Sequence, residues 1–441
     1  MARDKPSKNS FFQISKYNKN VTFNYLGTAA AVTGPLIALP FYLSILGTKN
    51  FGLIAFIITL QGILLLLESG LSQVSYREFA VKLGKSESDL PAAANLLSGF
   101  EKIYWSLSLG AAVFLIFLSG VITEHWIILD EKSISLGKQA VYGAAFIFIF
   151  QFPGGLYKGF LQAAEEQVTF NTILIFCIIL RHLFGVLIVF YWPSLLTYVV
   201  WQISTIALDT VLRSFYSWRF LKTKRTFVIF NYAAFRPALI SAIKMSLVVL
   251  LGVLTTQLDR IILSGMVPIE QYGFYVVASA VSLGALGLIH PFVIAIAPGM
   301  MQSHDNEKKM YDLNLRLIKI IAMIVFTGAA LFILAGKWFL KIWMRDVEAV
   351  SVIYPLLSVL LIGSALNAFY HVGYYNWLAK HRSDKILLVN SIGLVLTLII
   401  TPMLIKSEGM IGATFGFVAM NFVSLVVSLE WIRKYSASKN A

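Results

Sequence analysis

Gly110-Ala-Ala-Val-Phe-Leu-Ile116 returns 218 residues later as Gly328-Ala-Ala-Leu-Phe-Ile-Leu334. Three further pairs keep nearly the same offset: Phe51-Gly52-Leu53 with Tyr272-Gly273-Phe274 at 221, Gly155-Leu156-Tyr157 with Gly373-Tyr374-Tyr375 at 218, and Asn171 with Asn390 at 219. One such match means little in so apolar a chain, but four in order at near-constant spacing mark a duplication. Around these motifs the sequence breaks into apolar runs of about 20 residues, the length that crosses a bilayer as a helix.

In the first copy the runs lie near 23–46, 53–75, 103–122, 140–162, 168–190 and 195–218, and in the second near 238–264, 273–301, 317–340, 351–376, 386–405 and 412–432. The predicted fold class is an all-α polytopic membrane protein of about twelve transmembrane helices in two pseudo-symmetric six-helix halves. Its domain order is an N-terminal segment 1–22, a first half 23–218, a linker 219–237, a second half 238–432 and a tail 433–441. An even number of spans per half gives both halves the same orientation, with a symmetry axis along the membrane normal and a cavity between the repeats. By analogy of fold, that architecture favours alternating access by rocking one half against the other.

Composition agrees. The 441 residues are 58% hydrophobic and 13% charged, with a mean hydropathy of +0.76, whereas a soluble domain is roughly 45–50% apolar. The formal charge of +14 does not signal nucleic acid, because its placement explains it. With the N-terminus in the cytoplasm, 26 of the 36 Lys and Arg fall in inner segments and 7 in outer ones, leaving Arg181, Arg213 and Arg260 within helices. This is the positive-inside bias. The one cysteine, Cys177, lies in an apolar run and allows neither an internal disulfide nor a cysteine metal cluster. The basic N-terminus precedes an apolar stretch of about 24 residues, too long for a signal-peptide core, so it is expected to remain as the first span.

Leu46-Gly-Thr-Lys-Asn-Phe-Gly52, Glu68-Ser-Gly-Leu-Ser72, Gln257-Leu-Asp-Arg-Ile-Ile-Leu263, Tyr272-Gly-Phe-Tyr275 and the turn Tyr157-Lys-Gly-Phe-Leu-Gln162 resemble the polysaccharide-biosynthesis flippases called Wzx. These belong to the multidrug/oligosaccharidyl-lipid/polysaccharide flippase superfamily that also holds the MATE exporters and MurJ. The interval Gly265 to Gly273 is three residues longer than Gly47 to Gly52, a local departure from the pattern. The resemblance implies export of an undecaprenyl-pyrophosphate-linked oligosaccharide from the inner to the outer leaflet of a bacterial cytoplasmic membrane, with both termini cytoplasmic. It implies a cavity lined largely by the first two helices of each half. The partners implied are the lipid-linked oligosaccharide, membrane lipids, and the polymerase and chain-length proteins of polysaccharide assembly; no cofactor and no nucleic acid are implied.

Charges inside a span cost about 2.5–3.5 kcal/mol each on insertion scales, so those present face partners or water. Adding the repeat offset of 221 to 222 to Glu68 lands on Ile289 or His290. A carboxylate and an imidazole at matching depth suit proton coupling, and local hydrogen bonding is the plain alternative, for His290 beside a kink at Pro291. Asp209 and Arg213 are four apart on one helix face and read first as an ion pair, with Asp209 also a coupling candidate. Arg181 reads equally as a snorkelling residue or a phosphate ligand. Lys244, seven residues into its span, either meets a diphosphate head group or snorkels. Asp259 and Arg260 either lock a gate or cap a helix, and stand as coupling and substrate candidates. Pro35 and Pro40 interrupt the first span and suit a bendable gate. Trp105, Trp126, Trp192, Trp338 and Trp343 fall near span ends, as interfacial belts do.

A membrane enzyme of the same assembly is the rival from another class. The outer loops are short, and no paired-carboxylate, HExxH or P-loop motif is present, which also leaves no metal site. A MATE-type drug exporter is the nearer rival, and Lys244, Arg260 and Arg181 lean instead towards an anionic substrate. The Lys and Arg asymmetry makes a direct prediction. With Cys177 replaced, a cysteine at Thr48 labels with a membrane-impermeant thiol reagent on intact spheroplasts and one at Ser86 does not; equal or inverted labelling rejects the topology.

Overall fold

A bilayer core offers backbone amides no water, so a chain that crosses it must bond its own carbonyls. The computed structural model, which describes residues 8–83, 90–222, 232, 236, 240, 254, 257–303 and 305–432, is accordingly built of helices. The main ones are α1 Lys8–Leu83, α2 Leu90–Phe117, α3 Ile134–Ala163, α4 Gln167–Ile179, α5 Gly185–Tyr191, α6 Leu195–Phe220 and α7 Ile269–Gly287. They continue as α8 His290–Gln302, α9 Glu307–Leu331, α10 Lys337–Met344, α11 Val347–Ala379, α12 Ser383–Glu408 and α13 Met410–Ser428. Among the described residues the only β pairing is one bridge between Ile128 and Pro268.

Ten helical stretches of the described residues are long and apolar enough to cross a membrane. The first covers two predicted spans. Within α1 only Gly47 leaves helical geometry, at φ 77° and ψ 168°, a conformation that needs a residue without Cβ. Pro35 and Pro40 lie inside α1 with no break at either. Most of the predicted span 238–264 lies outside the described residues. Helix α2 begins at Leu90 rather than near 103, because Glu101 does not end it. Buried instead, Glu101 accepts hydrogen bonds from Tyr157 Oη at 2.7 Å and Trp218 Nε1 at 2.8 Å. Polar caps set other boundaries: Ser194, Asn306 and Asp346 each accept from a backbone N–H three residues on, opening α6, α9 and α11.

The chain forms two compact units. The first holds residues 1–46, 60–120 and 135–250, and its core is aromatic. Phe79 meets Phe160 at 5.0 Å, Tyr104 meets Phe152 at 4.8 Å and Phe148 meets Phe152 at 5.0 Å between ring centres. The second holds residues 47–59, 121–134 and 251–441. Amide pairs tie its helices: Asn314 and Asn376 exchange hydrogen bonds of 3.1 and 2.7 Å, and Asn367 donates to Asn421 at 2.6 Å. Lipid tails are as apolar as leucine, so such pairs supply association energy that apolar burial supplies in water.

In the second unit the repeated hairpin motifs meet. A Cβ on Gly52 would lie 2.0 Å from the Ile269 carbonyl oxygen, and one on Gly273 would lie 3.1 Å from Gly52 Cα. The Thr59 and Tyr272 hydroxyls share a hydrogen bond, and Phe56 sets its ring edge-on to Trp126 at 5.8 Å. Lys49 Nζ lies 2.9 Å from Asp130 Oδ1 and 4.0 Å from Glu270 Oε1. A hydrogen bond from Ser133, then Lys49, hold the exposed Asp130 carboxyl below the usual carboxylate range. Close approach at Gly52 predicts that Gly52→Ala costs about 1–3 kcal/mol by overpacking. Gly110 and Gly328 have nothing within 4 Å of a built Cβ, so Ala there is neutral or gains up to about 1 kcal/mol. Melting midpoints of the three variants in one detergent check the contrast; equal midpoints for Gly52→Ala and Gly110→Ala refute it.

Candidate functional site

In the first unit, α4 and α5 are joined by a π-helical turn, Leu180–Phe184, that carries Arg181 and His182. Such wide turns spend backbone bonds poorly and recur at functional sites. Here the turn brings Arg181 Nη2 to 3.9 Å from Asp209 Oδ2, on α6. Arg213, one helical turn beyond Asp209, places its own Nη2 2.8 Å from the same oxygen. Its guanidinium also lies over the Phe170 ring, 4.9 Å from the centre. Two guanidiniums therefore share one carboxylate, and the trio carries a net positive charge inside the membrane-spanning helices. The Arg181 and Arg213 Nε atoms, Asp209 Oδ1, Gln202 Nε2 and Gln151 Oε1 are buried without a hydrogen-bond partner among the described residues. Each such atom costs about 1–3 kcal/mol, and three of them on the Arg181, Asp209 and Arg213 trio are the pattern of a polar site rather than of a helix tie.

Glu68 is in the same unit, half-buried, and accepts from Ser72 Oγ at 2.7 Å. It presses against α3, where a Cβ on Gly155 would lie only 1.8 Å from its Oε1. Lys158 and Arg213 are its electrostatic partners.

The second unit treats its charges differently. Asp259, 5% exposed, accepts from Tyr275 Oη at 2.5 Å. Arg260, 6% exposed, donates to Ser279 Oγ through Nε at 3.1 Å and Nη2 at 2.8 Å, and to Gln257 at 3.3 Å. Both therefore fasten residues 257–260 to α7. His290 opens α8 with Pro291 beside it, after a break at Leu288 and Ile289. Its ring centre lies 5.3 Å from that of His371 on α11. Lys244 lies outside the described residues.

Of the residues singled out in the sequence, the structure gathers Arg181, Asp209 and Arg213 into one cluster. Glu68 belongs to the first unit, and His290, Asp259 and Arg260 belong to the second. Glu101, buried, and His371, half-buried, escaped the sequence reading. Glu101 lay just outside a span drawn to begin at 103, and His371 was a single histidine in its run whose partner, 81 positions earlier, only the fold supplies.

Apolar spans with polar clusters among them define an all-α polytopic membrane fold, and comparison with solved structures finds that fold. A multidrug resistance MATE family transporter of the MOP superfamily, in an inward-facing conformation, matches at a TM-score of 0.72 and 17% identity, covering 92% of this chain and 94% of that one. Lipid II flippase MurJ, in an inward closed conformation, matches at 0.73 and 12% identity, covering 94% and 87%. A MOP superfamily transporter from Pyrococcus furiosus, described as having a binding pocket of reverse polarity, matches at 0.57 and 16%, covering 96% and 94%. No curated protein matches. The family model described as "Polysaccharide biosynthesis protein" matches residues 18–304, and the chain belongs to that family.

Asp209 is the shared counter-charge, and removing one member of a buried ion pair costs about 3–5 kcal/mol. Asp209→Ala is expected to lose stability on that scale, with part of it returned in Asp209→Ala/Arg213→Met. Thermal unfolding in detergent reads both; a double variant no more stable than the single one removes the coupling.

Proposed function

We propose that the protein is a flippase that moves an undecaprenyl-pyrophosphate-linked oligosaccharide from the cytoplasmic to the outer leaflet of a bacterial cytoplasmic membrane. Transport proceeds by alternating access of two six-helix halves and is coupled to an ion, with both chain termini in the cytoplasm. The observation that carries the substrate class is the trio in which Arg181, half-buried, and Arg213, buried, share Asp209. A diphosphate leaving water needs fixed positive charge, and a guanidinium in a low-dielectric site supplies it in bidentate form. Family membership adds that the substrate belongs to polysaccharide assembly. The likeness to a MATE transporter and to MurJ is equally close and does not choose between drug and lipid. The positive charge of the trio supports the lipid reading, because an exporter of cationic drugs favours an acidic site.

In this reading Lys244 adds a cation along the substrate's path, Glu68 and His290 are the coupling candidates, and the polymerase and chain-length proteins of the same assembly receive the product. Cells lacking the protein are expected to accumulate undecaprenyl-linked oligosaccharide on the cytoplasmic leaflet and to lose surface polysaccharide. Lys244→Ala rescues them poorly and Lys244→Arg rescues better, scored by surface polysaccharide at matched protein level. Normal polysaccharide in the deletion strain, with no redundant flippase present, overturns the function; full rescue by Lys244→Ala removes only the role of that residue.

A further inference from the structure

We propose that His290 and His371 form a proton-binding pair in the second unit and that this pair couples transport to a proton. The coupling role rests on the transport function proposed above; the binding of the proton does not.

The pair is built by a break in the eighth predicted span. Pro291 has no N–H and cannot bond back to the carbonyl four residues earlier, so α7 ends at Gly287 and α8 starts at His290. His290 is exposed there, with Ile289 and Val293 anchored in one apolar cluster with Ala368 and Val372 of α11. An exposed imidazole within a span faces water or a partner rather than lipid. Its partner is His371, ring centres 5.3 Å apart and planes at 66°.

Hydrogen bonding fixes which atom of His371 takes the proton. Its Nδ1 lies 2.8 Å from the Asn367 carbonyl oxygen. A carbonyl can only accept, so Nδ1 carries hydrogen in the neutral ring and Nε2 keeps a lone pair. Asn367 is itself held, donating to Asn421 Oδ1 at 2.6 Å, while Asn421 donates to the Phe417 carbonyl at 2.8 Å. The ring is thus oriented by its own helix, through the backbone carbonyl one turn before it, while the Asn367 side chain ties that turn to α13. One proton satisfies the pair, because a second would place like charges side by side.

Other titratable groups leave the pair to itself. On α11 the rings of Tyr370 and Tyr374 meet His371 at 6.2 and 6.3 Å. On the packed helices α13 has no titratable residue, α7 carries Glu270, Tyr272 and Tyr275 in its first half, α10 carries Lys337 and Lys341, α12 carries Asp384, Lys385, Lys406 and Glu408 near its ends, and α9 carries Asp312, Arg316 and Lys319, all three exposed.

The test uses the purified full-length protein in liposomes adsorbed on a solid-supported membrane, without substrate. A jump from about pH 8 to about pH 5 brackets the ordinary imidazole value of about 6.5. Wild type is expected to give a transient charge displacement, reduced in H290Q and in H371Q and lowered to that of protein-free liposomes in the double variant. H125Q, altered at an exposed histidine outside the spans, keeps it. Only variants with the wild-type melting profile are read, and H371N serves where H371Q melts early. A displacement that survives loss of both histidines, or one evoked by a sodium jump at constant pH, overturns the proposal. Because no substrate enters the assay, a His-dependent displacement beside normal polysaccharide in the deletion strain would sink the flippase and keep the proton site.

Discussion

Hydrocarbon about 30 Å thick gives a polypeptide nothing to bond to but itself. Every feature of this chain is an answer to that constraint. Backbone groups answer it by coiling into helices that run through prolines at 35 and 40 and give way at Gly47 and around Pro291. Side-chain polar groups answer it by pairing, as in the exchange between Asn314 and Asn376 or the Glu101 carboxylate held by Tyr157 and Trp218. Where the answer is complete, the group serves the fold. Where it is not, the unspent bonding capacity marks a place for chemistry.

Judged by that standard the two units differ. Asp259 and Arg260 in the second are held by Tyr275, Ser279 and Gln257, and tie neighbouring segments together. The trio of Arg181, Asp209 and Arg213 in the first leaves both Nε atoms and one carboxylate oxygen without partners among the described residues. A fold that needed only a tie would have stopped at the bond of 2.8 Å between Arg213 and Asp209, which a lone i,i+4 pair provides. The second guanidinium adds charge the fold does not need.

Much of this was legible in the sequence, for physical reasons. Spans are legible because bilayer thickness imposes a length, and the Asp209–Arg213 pair is legible because helical periodicity alone brings residues four apart together. Arg181 joins them only through the π turn, whose wider winding no propensity announces. Glu101 was lost because a carboxylate beside Lys102 looks like the end of a span, and only the facing Tyr157 and Trp218 allow the helix to run on. Likewise the meeting of Gly52 with Gly273 is visible beforehand as a repeat of small residues but not as a contact, since repetition specifies equivalence and not proximity.

The two sites also divide the chemistry between kinds of cation. Guanidinium stays charged at any pH a cell meets, so Arg181 and Arg213 can hold an anion but cannot release a proton on cue. Imidazole does the opposite: its charge comes and goes near neutral pH, and a pair of rings that admits one proton is reset by losing it. Recognition of a diphosphate needs the permanent charge, since a ligand site that discharged would drop its substrate in hydrocarbon. Coupling to a gradient needs the switchable one, since a charge that never leaves carries no work across the membrane. A single cluster could not meet both demands, which is a physical reason for the proposed division of labour between the Arg181–Arg213 cluster and the His290–His371 pair.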